Sequence, residues 1–350
     1  MTQENASVPP QKPTANKLGS ALMKYGIPLV ITVGLCWLLF RDFDFGEMMA
    51  IIRRDCDFRW IGAALAVSVL SHVVRGYRWN IQLRALGIKA PVFAVILSIF
   101  GTYAVNLVFP RLGELWRTGY ISARQKAPFT EVFGSMVADR LADSLSVLVL
   151  ILLTFFVAGR QLMEYLSQNG AAMAAVASWL RSPLLWASVV AVCAVAGALL
   201  YRYRATRAVG KLKSFALGLW QGFAVVVRMP GRGRWLVLTA VIWGCYFIQL
   251  YLAFFAFPLT AEVVRTYSWT AVLVCFVLSS ISMGVPSNGG IGPWQWAVVF
   301  GLSLYSIPGL TKEYATTFAN LVMGTQTLLL IALGIFTFIC IAVDKRRKTA

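Results

Sequence analysis

Metal and redox chemistry have little to draw on in this chain. It has one histidine, His72, and its six cysteines (Cys36, Cys56, Cys193, Cys245, Cys275, Cys340) form no Cys-x-x-Cys pair and no Cys/His ligand spacing. The expectation is therefore no metal, no cofactor and cysteines that serve as small packing residues. Acidic residues are scarce too, 14 against 32 lysines and arginines, for a net charge of +18. Long polar stretches are missing. None exceeds roughly 40 residues, too few for a separate water-soluble catalytic domain. Residues 1–17 lack the basic, apolar, small-residue order of a cleaved signal peptide. They read as a disordered polar tail, with the first apolar run as an uncleaved signal-anchor.

What the chain has in excess is apolar length: 59% of its residues are hydrophobic and its mean hydropathy is +0.71. Apolar runs cover 24–40, 60–83, 91–109, 137–158, 184–201, 235–257, 269–286, 291–307 and 317–343. A full helical span needs about 20 residues. Run 24–40 is thus marginal, and 91–109 and 291–307 are short or broken. The chain reads as an all-α polytopic membrane protein with about eight membrane segments, two of them re-entrant or broken.

The positive charge sets the topology. Basic residues gather in the links between spans, as in the positive-inside pattern, and no nucleic-acid-binding motif accompanies them. Link 202–234 carries Arg202, Arg204, Arg207, Lys211, Lys213, Arg228, Arg232 and Arg234 without an acid, and the C-terminus ends in Lys345, Arg346, Arg347 and Lys348. Both are expected in the cytoplasm, as are 84–90, 111–136 and the N-terminus. Loop 41–59, of mixed charge, is expected outside. Segments 91–116 and 269–307 then enter and leave on one side, from opposite faces. Two units of the same order follow, span, span, re-entrant hairpin, span, with the second inverted. The boundaries are a tail 1–20, a first repeat 21–158 broken at 91–116, a linker and span 159–201, a basic linker 202–234, the rest of the second repeat 235–343 broken at 269–307, and a basic tail 344–350. A plain bundle of spans kinked at prolines is the alternative.

Paired interruptions at matching places in two halves point to a transporter's binding site. Here they are Asn106…Pro110-Arg111-Leu112-Gly113-Glu114 and Pro286-Ser287-Asn288-Gly289-Gly290-Ile291-Gly292-Pro293-Trp294-Gln295. The spacing predicts that a helix starting near Pro110 aligns Arg111, Glu114 and Arg117, and that Pro293 opens another. Charges inside apolar segments are expensive and usually face a cavity or a partner. His72, Arg75 and Trp79 share one helix face, which Arg78 extends; Asp139 and Asp143 share another, around Arg140. The aspartates are expected to pair with Arg75, Arg111 or Arg117. A brace of ion pairs and a transport role remain open for them.

At these residues the chain resembles the lysylphosphatidylglycerol synthase transmembrane family of flippase-like membrane proteins. The resemblance rests on Arg75, Arg78 and Trp79; on Asn106, Pro110, Gly113, Glu114 and Arg117; on Asp139, Arg140 and Asp143; and on Pro286, Gly289, Gly290, Gly292 and Gln295. It covers about residues 60–340. Many relatives carry a glutamate where this chain has Gln295, which puts in doubt a titratable role there. The aminoacylating members carry a soluble transferase domain after the membrane part. This sequence stops just past its last apolar run, so a stand-alone module without that enzyme is expected.

The resemblance implies a lipid transporter of the bacterial inner membrane, with a cytoplasmic C-terminus. Its partner would be an anionic headgroup or a polyprenyl-linked phosphate, with no nucleic acid involved. The expected substrate-binding set is Arg75, Arg78, Asn106, Arg111, Glu114, Arg117, Asp139, Arg140, Asp143, Asn288, Gly289, Gly290 and Gln295. Within it Arg75, Arg111, Arg117 and Arg140 hold the phosphate, and Glu114, Asp139 and Asp143 gate or carry protons. An intramembrane lipid-modifying transferase and a scaffold for an envelope enzyme are the alternatives, with a second copy of the chain as a further partner.

Overall fold

The computed structural model describes residues 45–168, 183, 187, 229–285, 287 and 289–349. The expected tail 1–20, run 24–40, run 184–201, most of linker 202–234, Pro286 and Asn288 lie outside the described residues. Those described are helical throughout: α1 (Phe45–Asp55), α2 (Phe58–Ala85), α3 (Val92–Val108), α4 (Leu112–Gln125), α5 (Phe129–Gln168), α6 (Arg232–Phe254), α7 (Pro258–Ser282), α8 (Pro293–Ser303) and α9 (Lys312–Thr349). By length and composition α2, α5, α6, α7 and α9 are able to cross a membrane, and α3 is a shorter apolar helix. The protein is an all-α polytopic membrane protein.

Both interrupted segments are helical hairpins. In the first, α3 and α4 are separated only by Phe109, Pro110 and Arg111. In the second, α7 is bent at Ser268, whose φ of 67° and ψ of −176° leave the helical region, so an arm 269–282 is set off from 258–267. That arm and α8 flank the glycine-rich break. Pro258 opens α7, well before the apolar run at 269, because proline suits a first helical turn. Loop 41–59 contains α1.

One expectation fails at the first break. Pro110 does not start the helix. Arg111 precedes Leu112 as the N-cap residue, in the left-handed region with φ 61°. The chain must turn back sharply here, and Arg111 is thereby swung out of line with Glu114 and Arg117. The second break matches expectation, with Pro293 in the first turn of α8. Its N-cap is Gly292 at φ 93°, a conformation that costs glycine nothing.

Helices α2 and α6 run antiparallel along their whole length. The Asp57 amide donates to the Ala256 carbonyl (2.9 Å) at one end, and Arg78 reaches Thr239 (3.2 Å) toward the other. Around this pair each hairpin leans on the long helix of the other half: α3 on α9, and α7 on α5. The α3–α9 contact is close, since a Cβ on Gly334 would lie 2.4 Å from the Ala104 methyl. Two cores result. The larger joins α1, α2 and α6–α9 through Phe254, Phe257 and Phe318, whose rings meet edge to face. The smaller, around Trp79, Leu83, Ile99 and Ile121, binds α2 to the first hairpin.

Candidate functional site

The charged residues of the first half converge where α2, α4 and α5 meet. Asp139 is fully buried and faces three arginines: Arg78 at 2.6 Å, Arg117 at 3.5 Å and Arg75 at 3.6 Å. Asp143, one turn along α5, takes Arg75 at 2.6 Å, Arg78 at 2.9 Å and Arg140 at 3.8 Å. Arg140 also reaches Glu114 at 2.6 Å. Four guanidiniums thus face three carboxylates, and one positive charge is left over. It is most evident at Arg117, whose only carboxylate contact among the described residues is the long one to Asp139. Arg117 lies instead over the Trp79 ring, 4.5 Å from its centroid. A cation over an indole face is attracted by the ring's quadrupole but not neutralised.

Position in the chain explains the convergence. Arg75 and Arg78 are one turn apart on α2, and Asp139 and Asp143 are one turn apart on α5, so two short ladders interlock. Buried ions in such a lattice must be hydrogen-bonded on most sides to be tolerated. Tyr246 and Thr239 of α6 supply part of this. The Arg75 guanidinium donates to the Tyr246 hydroxyl (3.1 and 3.3 Å), and Arg78 donates to the Thr239 hydroxyl. The Trp79 indole N–H donates to Ser135 (3.1 Å), and Trp235 lies under Arg78, 5.4 Å from its guanidinium carbon. Three guanidinium Nε atoms, of Arg78, Arg117 and Arg140, are buried without a partner among the described residues.

Next to this lattice lies the first break. Asn106 clamps it: its Oδ1 accepts from the Gly113 amide (2.8 Å) and its Nδ2 donates to both Glu114 oxygens (3.2 and 3.4 Å). Gly113 must be glycine, because a Cβ there would sit 2.1 Å from the Thr102 carbonyl oxygen. Glu114 is therefore held between an amide and Arg140. Arg140 is the most open member of the cluster, its side chain 35% exposed against 0% for Arg78.

The two breaks touch. Arg111 donates to the Gly284 carbonyl (3.3 Å), and a Cβ on Gly289 would lie 2.6 Å from Leu107. Gly290 packs against Met283 and Met323. Gln295 does not point into the cluster; its side-chain oxygen accepts from the Gly292 amide (2.6 Å), closing the first turn of α8. Arg111 belongs to the junction between breaks and is not among the aspartates' partners; the third partner of Asp139 is Arg78. Asn106, Glu114, Arg75, Arg78, Arg117, Asp139, Arg140 and Asp143 form one connected network. Gly289, Gly290 and Gln295 stand beside it, and Asn288 lies outside the described residues.

The hydrogen-bonding partners from α6 were not foreseen. A tyrosine or threonine within an apolar run gives no periodic signal, and only the antiparallel pairing of α2 with α6 brings Tyr246 to Arg75.

Counted along their helices, residues of the second half stand at the same places as members of the network and carry different chemistry. Arg75 and Gln249 hold the same place counted from the first residues of their helices, Phe58 and Arg232. So do Asp143 and Gln326, counted from Phe129 and Lys312, and Glu114 and Gln295, counted from Leu112 and Pro293. Arg75 pairs with Asp143, and Gln249 donates to Gln326 at 3.0 Å. Arg78 and Asp139 correspond to Leu252 and Val322.

Comparison with known proteins adds one decisive match: the lysylphosphatidylglycerol synthase TM region family, over residues 26–334. The chain belongs to this family. Among relatives within reach, the UPF0104 membrane protein MJ1595 of Methanocaldococcus jannaschii is 22% identical over 282 residues, 74% of this chain and 79% of that protein. The UPF0104 membrane protein PH1989 of Pyrococcus horikoshii is 26% identical over 140 residues, 39% of this chain and 42% of that protein. Glycosyltransferase AglD of Haloferax volcanii is 31% identical over 120 residues, 34% of this chain and 19% of AglD. The chain thus spans only a fraction of AglD and of PH1989. No solved structure matches. Family membership agrees with the multi-pass architecture, and the residues that carried the resemblance are largely those of the ionic network.

Proposed function

We propose that this protein is a lipid transporter of the flippase type, built from two inverted repeats and handling a lipid whose headgroup contains a phosphate. The observation that carries the reading is the surplus buried positive charge beside two touching helix breaks. An anionic phosphate is the ligand such a surplus favours, and planar guanidiniums match phosphate oxygens in pairs. Arg140, open and shared between Glu114 and Asp143, is the guanidinium free to exchange a carboxylate for a phosphate. Arg117 supplies the uncompensated charge behind it. Asp139 and Asp143 brace the arginines, and Asn106 with Gly113 fixes the turn.

The antiparallel α2–α6 pair, the exchange of hairpin partners and the shared helix registers support the inverted repeat. Such repeats give transporters two equivalent halves that rock about a central site. The basic links support a cytoplasmic C-terminus in a cell membrane. The resemblance to AglD favours one competing reading, a membrane module serving lipid-linked glycosyl transfer.

Movement of labelled phosphatidic acid, phosphatidylcholine and a polyprenyl phosphate across proteoliposomes tests the proposal. Selective transfer of anionic lipids, reduced about tenfold or more by Arg140→Ala for the loss of a charged hydrogen bond, supports it. Equal movement in empty liposomes refutes it, and covalent conversion of the lipid favours the glycosyl-transfer reading.

A further inference from the structure

We infer that the C-terminal part of α9 is a strap that holds the first hairpin down on the ionic network, with the Arg124–Asp344 ion pair as its latch. The inference concerns control of the network and rests on that network being the working site, as proposed above.

Helix α4 has two packed faces. Glu114, Arg117 and Ile121 lie on the one turned to α2 and α5, where Arg117 meets Asp139 and Trp79, and Glu114 meets Arg140. Trp116, Tyr120 and Arg124, each one turn on from the last, form a separate stripe. The Trp116 and Tyr120 rings stack with centroids 5.6 Å apart, and the Arg124 guanidinium carbon lies 6.0 Å from the Tyr120 centroid. Helix α9 receives this stripe. Phe338 meets Trp116 edge to face at 5.5 Å, and Asp344 pairs with Arg124. Along the same seam Gly334 packs on Ala104, and the Thr337 hydroxyl donates to the Leu97 carbonyl at 3.4 Å. Gly101 leaves room for the indole, since a Cβ there would lie 2.3 Å from the Trp116 ring.

This seam joins the first hairpin to the last helix of the other half, so any movement of one half against the other must part it. Little holds it. Between helices in lipid, apolar contact supplies no hydrophobic driving force, and close packing with a few polar bonds does the holding. Among the described residues Arg124–Asp344 is the one ion pair that joins the two halves. Its side chains are 22% and 39% exposed, so the pair is weak and is screened by salt. The pairs of Asp139 are buried, and breaking one of those costs far more. A weak, wet contact at the end of a helix is the one that yields first. Because α4 is a continuous helix, a displacement at Arg124 is carried two turns along to Arg117, which is 1% exposed with the strap in place.

The test is labelling of the purified full-length protein with p-hydroxyphenylglyoxal, a water-soluble guanidinium reagent, with the rates at Arg117 and Arg78 read by mass spectrometry. A partly exposed ion pair shifts an equilibrium between closed and open forms by about two- to fivefold. Arg124→Ala and Asp344→Ala are each expected to speed labelling of Arg117 by that factor and to leave Arg78 unchanged. Arg124→Asp combined with Asp344→Arg is expected to bring Arg117 back toward the wild-type rate. Added salt should speed Arg117 labelling in the wild-type protein and have little further effect in the alanine variants. An Arg117 rate unchanged in both alanine variants makes the pair a surface brace and overturns the inference. A parallel rise at Arg78 reports loosening of the whole fold and overturns it too. The labelling needs no lipid, so absence of lipid transfer would refute the phosphate-lipid reading and leave this result standing.

Discussion

On the inverted-repeat reading proposed above, the two halves of this protein share one framework and differ in the chemistry that fills it. At matched helix positions the first half has Arg75, Arg78, Glu114, Asp139 and Asp143, and the second has Gln249, Leu252, Gln295, Val322 and Gln326. The α2–α5 seam is held by charge, whereas its counterpart between α6 and α9 is held by one amide pair and by apolar contact. Framework and chemistry are therefore separable. Among the described residues the second half builds a broken hairpin and long helices without a buried ion lattice. The ions are an addition to one half, and a costly one, because buried pairs are seldom better than apolar residues of the same volume. Among the described residues such a buried lattice stands at one seam, and on the reading proposed above that seam is the working site.

The largest expected contrast comes from removing an ion against removing its apolar counterpart. Asp139→Ala leaves Arg117 buried without a carboxylate in reach and Arg78 with Asp143 alone, a loss of about 3–5 kcal/mol. Val322→Ala removes two buried carbons, roughly 1.5 kcal/mol. Thermal melts of the two variants in one detergent should differ in that order, and equal losses would mean that Asp139 is solvated. A step down in size is the transplant. Gln249→Arg alone should destabilise the protein by about 3 kcal/mol as an unpaired buried charge, and adding Gln326→Asp should recover most of it. Coupling of that kind in a double-mutant cycle is the signature of matched registers, and additivity would break the equivalence.

Gln326→Leu alone strands the Gln249 amide, at a cost of about 1–3 kcal/mol, while Gln249→Leu together with Gln326→Leu should return close to wild type. A double variant less stable than the single one would contradict this expectation. The smallest effect is Gln295→Glu, which makes the second hairpin resemble the first. An acid in the first turn of α8 is favoured by the helix dipole, by about 0.5 kcal/mol. The Gly292 amide keeps its acceptor, but at 5% exposure the cost of burying the carboxylate opposes that gain, so melting should shift little at neutral pH.

How much of this was legible beforehand follows the same division. Apolar length announced the spans because a membrane demands them, and the proline–glycine clusters announced the hairpins. Asp139 and Asp143 with Arg75 were readable as partners because charges buried in lipid-facing segments need each other. Less visible were the features that depend on chain reversal. Arg111 was misplaced because Pro110 lies in the turn and the helix starts two residues later, in a left-handed step that sequence spacing does not reveal. Arg78, which spacing shows only as extending the face of His72, Arg75 and Trp79, is a fully buried partner of both aspartates. Tyr246, Thr239 and the Gln249–Gln326 pair could be found only after α2 was paired with α6, and α6 with α9, because each half of those contacts is an ordinary polar residue in an apolar run.

The central claim is that lipid phosphate is handled by the charged half alone. The most direct measurement compares translocation of labelled phosphatidic acid in proteoliposomes holding Arg140→Leu with those holding Met323→Leu, the substitution at the matching position of α9. The account predicts about a tenfold or greater loss for the first and a rate within about twofold of wild type for the second. Equal rates in the two variants, or a greater loss with Met323→Leu, would contradict it.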